Sequence, residues 1–382
     1  MQAVTKSRFD PIDALRGLAA LLVVWLHVTE TFMQLPVRPA GAWLYEVAAS
    51  VDTGRIGVVL FFAISGFVIP SSLRPTTAPG TAAQALRVFA VRRFWRLFPA
   101  YWVSLAGAAV MAWWLQAPLS WAALAANVTM LQGWWGVPDA LGLYWSLRLE
   151  LVFYLLCAAL FYAGLLRRPS ALAGAIVACA VVVLGAVAAK ALAAPDTVWP
   201  EAWVFLPLYS LFIATMFWGA LFRCWHDQRT SGTAPAFSRG VRLLFWLFPL
   251  GIGLGPLCVP LLLHWVPSAP AAPLWKMTIA QALGVGLFIW LALYWRQPSR
   301  LWLWLGAISY SLYLFHPLVF YPLFVAVRDG YLPALANAPM AVYLLLSVLG
   351  SVALAAAVYY GVEQPTMRLG RRSARHEGLA PS

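Results

Sequence analysis

The chain alternates long apolar stretches with short polar segments that carry most of its arginines. A helix of about twenty apolar residues crosses the ~30 Å hydrocarbon core of a bilayer. Ten stretches reach that length: 13–33, 55–71, 98–116, 144–166, 171–193, 203–222, 243–265, 277–295, 301–325 and 342–362. The pattern predicts an all-α polytopic membrane protein of about ten helices. An even count puts both termini on one side, and the basic residues choose the side. Lys6, Arg8 and Arg16 come first, then Arg74, Arg87, Arg92, Arg93 and Arg96, then Arg167 and Arg168. Arg223, Arg229, Arg239 and Arg242 follow, then Arg296 and Arg300, and last Arg368, Arg371, Arg372 and Arg375. These are twenty of the 26 Lys and Arg residues, all in segments on one side of such a bundle. By the positive-inside rule both termini are expected to be cytoplasmic. Residues 120–137 are apolar and Trp-rich as well, but an eleventh span there would place every later arginine cluster outside. They are expected to form an interfacial or re-entrant element on the outer face. Asn127-Val128-Thr129 within it matches a glycosylation sequon, a weak signal in such a segment.

Composition agrees with a bilayer. The 382 residues are 63% hydrophobic and 10% charged, where a soluble chain is nearer a quarter charged. The net charge of +13 follows from the cytoplasmic arginines, and no nucleic-acid motif accompanies it, so lipid and not nucleic acid is the expected partner. Cys157, Cys179, Cys224 and Cys258 show no metal-ligand spacing and are expected as buried thiols, not disulfides, with no metal site. Lys6, Arg8 and the apolar run after them resemble a signal peptide, with Ala40-Gly41-Ala42 as a small-residue site. That site lies well beyond the apolar core, and cleavage would remove the first span, so an uncleaved signal anchor is expected. Residues 1–366 read as one membrane domain and 367–382 as a basic, disordered cytoplasmic tail. The loops are short, so chemistry is expected inside the membrane domain.

Polar residues inside the spans are the candidates for it. Arg16 and His27 are eleven residues apart in the first span, roughly 16 Å along the helix and nearly three full turns, so both project from one face. Intramembrane Arg and His usually face a bundle interior or a ligand path, although Arg16 could snorkel to headgroups and His27 could be a bonded core residue. Ser65-Gly66 allows close approach of a backbone or a ligand. Arg92, Arg93 and Arg96, interleaved with aromatics before Pro99, suit a headgroup anchor or a phosphate clamp. In the fourth span Arg148 and Glu150 do not face each other, so each needs a partner elsewhere. His27 is the expected partner of Glu150, as an acid/base pair or as a structural bond. In the ninth span Ser309, Tyr310, Tyr313 and His316 fall within two turns, with Pro317 able to kink the helix.

Taken in order, DALRGLAALLVVWLHV, FFAISGFVI, RRFWRLFPAYW, WSLRLELVFYLL, ISYSLYLFHPL and VEQP resemble the motifs of the acyltransferase family 3 membrane proteins. That family includes bacterial O-acetyltransferases of surface polysaccharides, and the likeness runs from Asp13 to Pro365. The resemblance implies a multi-pass enzyme of the bacterial inner membrane. Its acyl donor would be acyl-CoA, acetyl-CoA by default, bound as substrate with no resident cofactor. Its acceptor would be a hydroxyl of a cell-envelope glycan or related molecule. By the same resemblance His27 is the catalytic base and Glu150 the family's acidic residue, while Arg93 and Arg96 match positions associated with the donor. Arg16, Arg92, Ser65, Arg148, Tyr310, Tyr313 and His316 complete the expected substrate-binding set. Two departures stand out: Glu150-Leu151-Val152 replaces the family's common Glu-Glu-Gln, and Arg148 replaces a small residue. The alternative is a transporter or flippase for a sugar, lipid or anion, which intramembrane Arg, His and Glu suit equally well.

Overall fold

The computed structural model describes residues 9–73, 82–193, 197, 199, 201–232, 236–265 and 271–376. Lys6, Arg8, Arg74 and residues 377–382 of the expected tail lie outside the described residues. Among the described residues there is no strand. The helices are α1 (Asp10–Phe32), α2 (Trp43–Val51), α3 (Thr53–Ser72), α4 (Ala82–Trp114), α5 (Trp121–Val128), α6 (Tyr144–Tyr162) and α7 (Pro169–Leu192). They continue with α8 (Glu201–Ser231), α9 (Arg239–Trp265), α10 (Ala271–Tyr294), α11 (Arg300–Phe315), α12 (Pro317–Arg328), α13 (Met340–Val358) and α14 (Gln364–His376). Among the described residues nine helical segments are long and apolar enough to cross a membrane, and the pair α11–α12, bent by 52°, makes a tenth. Each predicted span falls on one of these, the ninth on the bent pair.

The apolar stretch 120–137 folds into α5 and a single 3-10 turn, Gln132–Trp135. Eight helical residues extend only ~12 Å, too short to cross. Asn127 is wholly buried, and its amide bonds the Ala123 and Pro138 carbonyls and the Ala140 N–H. The sequon asparagine therefore holds the segment together.

The arginine stretch before Pro99 leads straight into the span: α4 runs unbroken through Pro99 for 33 residues, ~50 Å of helix. That exceeds the ~30 Å hydrocarbon thickness, so α4 extends beyond it, with Arg92 exposed and Arg93 and Arg96 half-buried. At the other end α13 passes through a π-helical turn (Tyr359–Glu363) into α14, which reaches His376. α14 lies along α4, where a Cβ on Gly370 would come 2.8 Å from Trp95 Cβ. The four cysteines are free, but only Cys157 is buried; Cys179 and Cys224 are half-buried and Cys258 is exposed on α9.

Small residues pull the central helices together. Lipid tails are as apolar as the helices, so association in a bilayer relies on close packing rather than on hydrophobic burial. Gly66 of α3 sits directly under the Met216 carbonyl of α8, and Gly306 of α11 under the Asp13 carbonyl of α1. Neither position has room for a Cβ. α3 is the centre of the bundle, with 72% of its apolar window buried, and α9, at 6%, is at the periphery. The face of α1 that carries Arg16 and His27 is thus enclosed by α3 and α11.

Candidate functional site

Two cavities lie along that face of α1, one at the arginine level and one at the histidine level. The first, about 710 Å³ with its open mouth, is lined by Arg16, Ser65, Arg93, Arg96, Glu150, Tyr154, Ser309, Tyr310 and Tyr313, among others. It brings together seven of the eleven residues expected from sequence. Three guanidinium groups face it against one carboxylate, so its lining carries a net positive charge suited to an anion.

The polar groups of this cavity are mutually braced. Arg16 Nη1 donates to Asp13 Oδ1 at 3.2 Å, one helical turn back. Arg93 Nη2 donates to Ser72 Oγ at 3.0 Å, and its guanidinium lies 5.3 Å from the ring centroids of Phe89 and of Tyr154. Arg96 Nη1 is 3.6 Å from Glu363 Oε1, and Ser311 Oγ donates to Glu363 Oε2 at 2.8 Å. Glu363 is wholly buried, so the Arg96 charge and the Ser311 hydroxyl compensate a carboxylate that would otherwise be costly. Glu150 Oε1 accepts from Ser65 Oγ at 3.0 Å and from Tyr154 OH at 2.7 Å. Ser65 and Gly66 divide their work: the serine reaches into the site and the glycine packs on α8. Tyr310 OH donates to the Leu97 carbonyl at 2.8 Å, tying α11 to α4.

The second cavity, about 1170 Å³ with its mouth, is lined by His27, Glu30, Asp52, Arg55, Trp145, Tyr321 and apolar neighbours. Asp52 caps α3, accepting from Arg55 N at 2.9 Å and pairing with its guanidinium at 3.3 Å. Val58 and Tyr313 line both cavities and so form the partition between them. The Tyr313 hydroxyl donates to the Leu143 carbonyl at 3.1 Å and lies 2.7 Å from Ser146 Oγ.

The expected His27–Glu150 pair does not form. His27 Nδ1 lies 2.9 Å from His316 Nε2, with the rings nearly parallel at 12° and 5.2 Å between centroids. His316 is fully buried at the break between α11 and α12. The reason is the depth of α6. Met130, Gln132, Leu141 and Leu143 are buried, so the chain ahead of α6 turns into the bundle and the helix starts level with Tyr313. Two turns further on, Glu150 is at the arginine level.

Arg148 and Arg92 are also outside both linings. Arg148 Nη1 bonds Asp139 Oδ1 at 2.9 Å, and its guanidinium occupies the space beside Gly133. It pins the inward-folded segment to α6. Arg92 is exposed on α4.

Sequence reasoning quoted Tyr154 and Glu363 within motifs but gave them no role of their own, and it passed over Glu30 and Asp52. Tyr154 had a signal, standing four residues after Glu150 on the same helical face. Glu363 had one too, a carboxylate ending an apolar run. Among the described residues no group of His, Cys, Asp or Glu is arranged to hold a metal ion.

Comparison of the chain with known proteins shows its family. A family model described as an acyltransferase domain matches residues 10–360. Nodulation protein 10 of Rhizobium leguminosarum bv. viciae is 28% identical over 394 residues, covering 94% of this chain and 93% of that protein. Protein 2 in the picA locus of Rhizobium radiobacter is 35% identical over 99 residues, covering 26% of this chain and 43% of that protein. No solved structure matches the chain. With a multi-pass helical bundle and a family match over nearly its whole length, the chain belongs to the acyltransferase domain family as a membrane acyltransferase.

Proposed function

We propose that the protein moves an acyl group, acetyl by default, from cytoplasmic acyl-CoA to a hydroxyl of a cell-envelope glycan or related acceptor. The observation that carries this reading is the shared partition: a cationic cavity and a histidine cavity abut at Tyr313 and Val58. The arginine end faces the cytoplasm of a bacterial inner membrane in this reading, as the basic segments favour. Arg16, Arg93 and Arg96 receive the phosphates of CoA, and the thioester arm lies in the cavity toward Tyr313. The acceptor enters beside Glu30, Asp52 and Arg55, whose polar atoms suit a hydroxyl-rich ligand.

In direct transfer the acceptor oxygen attacks the thioester carbonyl carbon as its proton passes to His27. The C–S bond then breaks, and the departing sulfur takes that proton from His27. The products are the O-ester and free CoA thiol, with His27 returned neutral. Glu150, held by Ser65 and Tyr154, belongs to the donor side of this scheme, not to the base.

The test is label transfer from radiolabelled acetyl-CoA by purified protein in lipid, offered a panel of envelope glycans. Transfer by wild type that is lost in folded His27→Ala supports the enzyme and names its acceptor class. Absence of transfer from every acyl-CoA, by folded protein that also fails to bind CoA, refutes it in favour of transport.

A further inference from the structure

The His-Pro step that ends α11 has a chemical consequence for His27. In a continuous helix the N–H of residue 317 would bond the carbonyl of Tyr313. Residue 317 is proline and has no N–H, so that carbonyl is left without its helical donor. His316 Nδ1 fills the vacancy: it lies 2.8 Å from the Tyr313 carbonyl oxygen and 3.3 Å from that of Leu312. Both partners can only accept, so Nδ1 carries the hydrogen. In the neutral ring Nε2 is then a bare lone pair, and it can only accept.

The group at that lone pair is His27 Nδ1, 2.9 Å away. His27 must therefore donate through Nδ1, whether its ring is neutral or charged. In the neutral ring this leaves the lone pair on His27 Nε2, and His27 lines the far cavity. From this chain of donors and acceptors we infer that His316 is a positioning residue for proton transfer: it holds His27 in the Nδ1–H tautomer, so that Nε2 faces the acceptor hydroxyl as the base. The inference rests on the reading of His27 as the base. A buried, neutral imidazole here takes the place that a carboxylate has in many hydrolases. It orients the ring without adding a negative charge to the bundle interior, where such a charge is expensive.

Two measurements test this. In the first, nitrogen-15-labelled histidine spectra of the full-length protein in lipid report which ring nitrogen of His27 bears hydrogen, with His27→Gln assigning the signal. Wild type is expected to show Nδ1–H, and His316→Leu to lose that preference. An Nε2–H signal for His27 in wild type overturns the inference, and this readout needs no substrate. In the second, steady-state transfer compares wild type, His316→Leu and His316→Gln. Leucine offers no acceptor to His27, whereas the glutamine carbonyl can stand where Nε2 stood. Loss of the oriented base is expected to lower kcat about 10²–10⁴-fold in His316→Leu, with both KM values within about threefold of wild type. Glutamine is expected to recover at least about tenfold of that loss. Unchanged kcat in folded His316→Leu overturns the inference. If wild type transfers no acyl group at all, the enzyme reading fails while the tautomer assignment is still decided by the spectrum.

Discussion

Neighbouring arginines on one helix give a sharp test of the donor site. Arg93 lines the cationic cavity, and Arg92, the next residue, lies exposed outside it. Arg93→Gln and Arg92→Gln remove the same charge from nearly the same place. Beyond the ~10 Å Debye length at 0.1 M salt the two losses look alike, so their difference isolates the contact made inside the cavity. A hydrogen bond to a charged group is worth about 1.5–3 kcal/mol, and each ~1.4 kcal/mol is tenfold in affinity. Arg93→Gln is therefore expected to weaken CoA binding about tenfold to hundredfold, and Arg92→Gln less than about threefold. Folding of both variants is checked alongside, because Arg93 itself makes one hydrogen bond to Ser72 and two ring contacts at 5.3 Å, together ~2.5–5 kcal/mol. The assay is calorimetric titration of CoA into purified protein in lipid, with donor KM measured alongside. The lost contact exists before the transition state, so KM should rise and kcat stay. Equal effects from the two variants would refute a phosphate contact and leave both arginines as headgroup anchors.

Glu150→Gln keeps the shape that Ser65 and Tyr154 hold and does not touch the histidine pair. It is expected to change donor KM with kcat within about threefold, whereas a fall in kcat alone would restore the pairing with His27 read from sequence. Arg148→Ala removes the charge partner of Asp139 and leaves it only the Gln132 amide, and both Arg148 and Asp139 side chains are only 14% exposed. A loss of about 3 kcal/mol of stability is expected in chemical denaturation, with donor KM of the folded enzyme unchanged; a KM effect without destabilisation would return Arg148 to the site. Tyr313→Ala removes most of the partition between the cavities. Hydrolysis of acyl-CoA without an acceptor should rise relative to transfer, and an unchanged ratio would argue against Tyr313 as the wall.

The spans and the Arg16–His27 stripe were legible because each follows from one helix alone. Apolar length marks a crossing, and eleven steps of 100° set two side chains on one face whatever the neighbours do. Partner choice was not legible, since it depends on how deep each helix sits relative to the next. A run of apolar residues tolerates sliding by a turn, and one turn is ~5.4 Å, the difference between reaching His27 and reaching the arginines. Here the offset comes from the buried approach to α6, where Leu143 meets Tyr313. In sequence residues 120–137 read as an interfacial or re-entrant element on the outer face, and nothing in the pattern set how deep the residues between them and α6 would sit. The partner of Arg148 was not legible for the same reason: Asp139 lies in the approach to α6. The break at Pro317 was readable, and the donor it removes from the Tyr313 carbonyl was a consequence waiting in the dipeptide.

Tyr313 then connects the two halves of the site within a single residue. Its carbonyl, freed by Pro317, fixes the ring of His316, and its side chain separates the cavities. The hydroxyl is anchored to Leu143 and Ser146, the residues that begin α6. Motion of α6 against α11 would therefore strain the partition and the histidine pair together. Glu150 lies two turns along that same α6 and is bonded to Ser65 of α3. A donor that draws Arg93 or Arg96 away from its present contacts pulls on the ring of Tyr154 or on Glu363. Tyr154 is bonded to Glu150, so the arginine-level contacts and the Tyr313 anchor share one helix, α6.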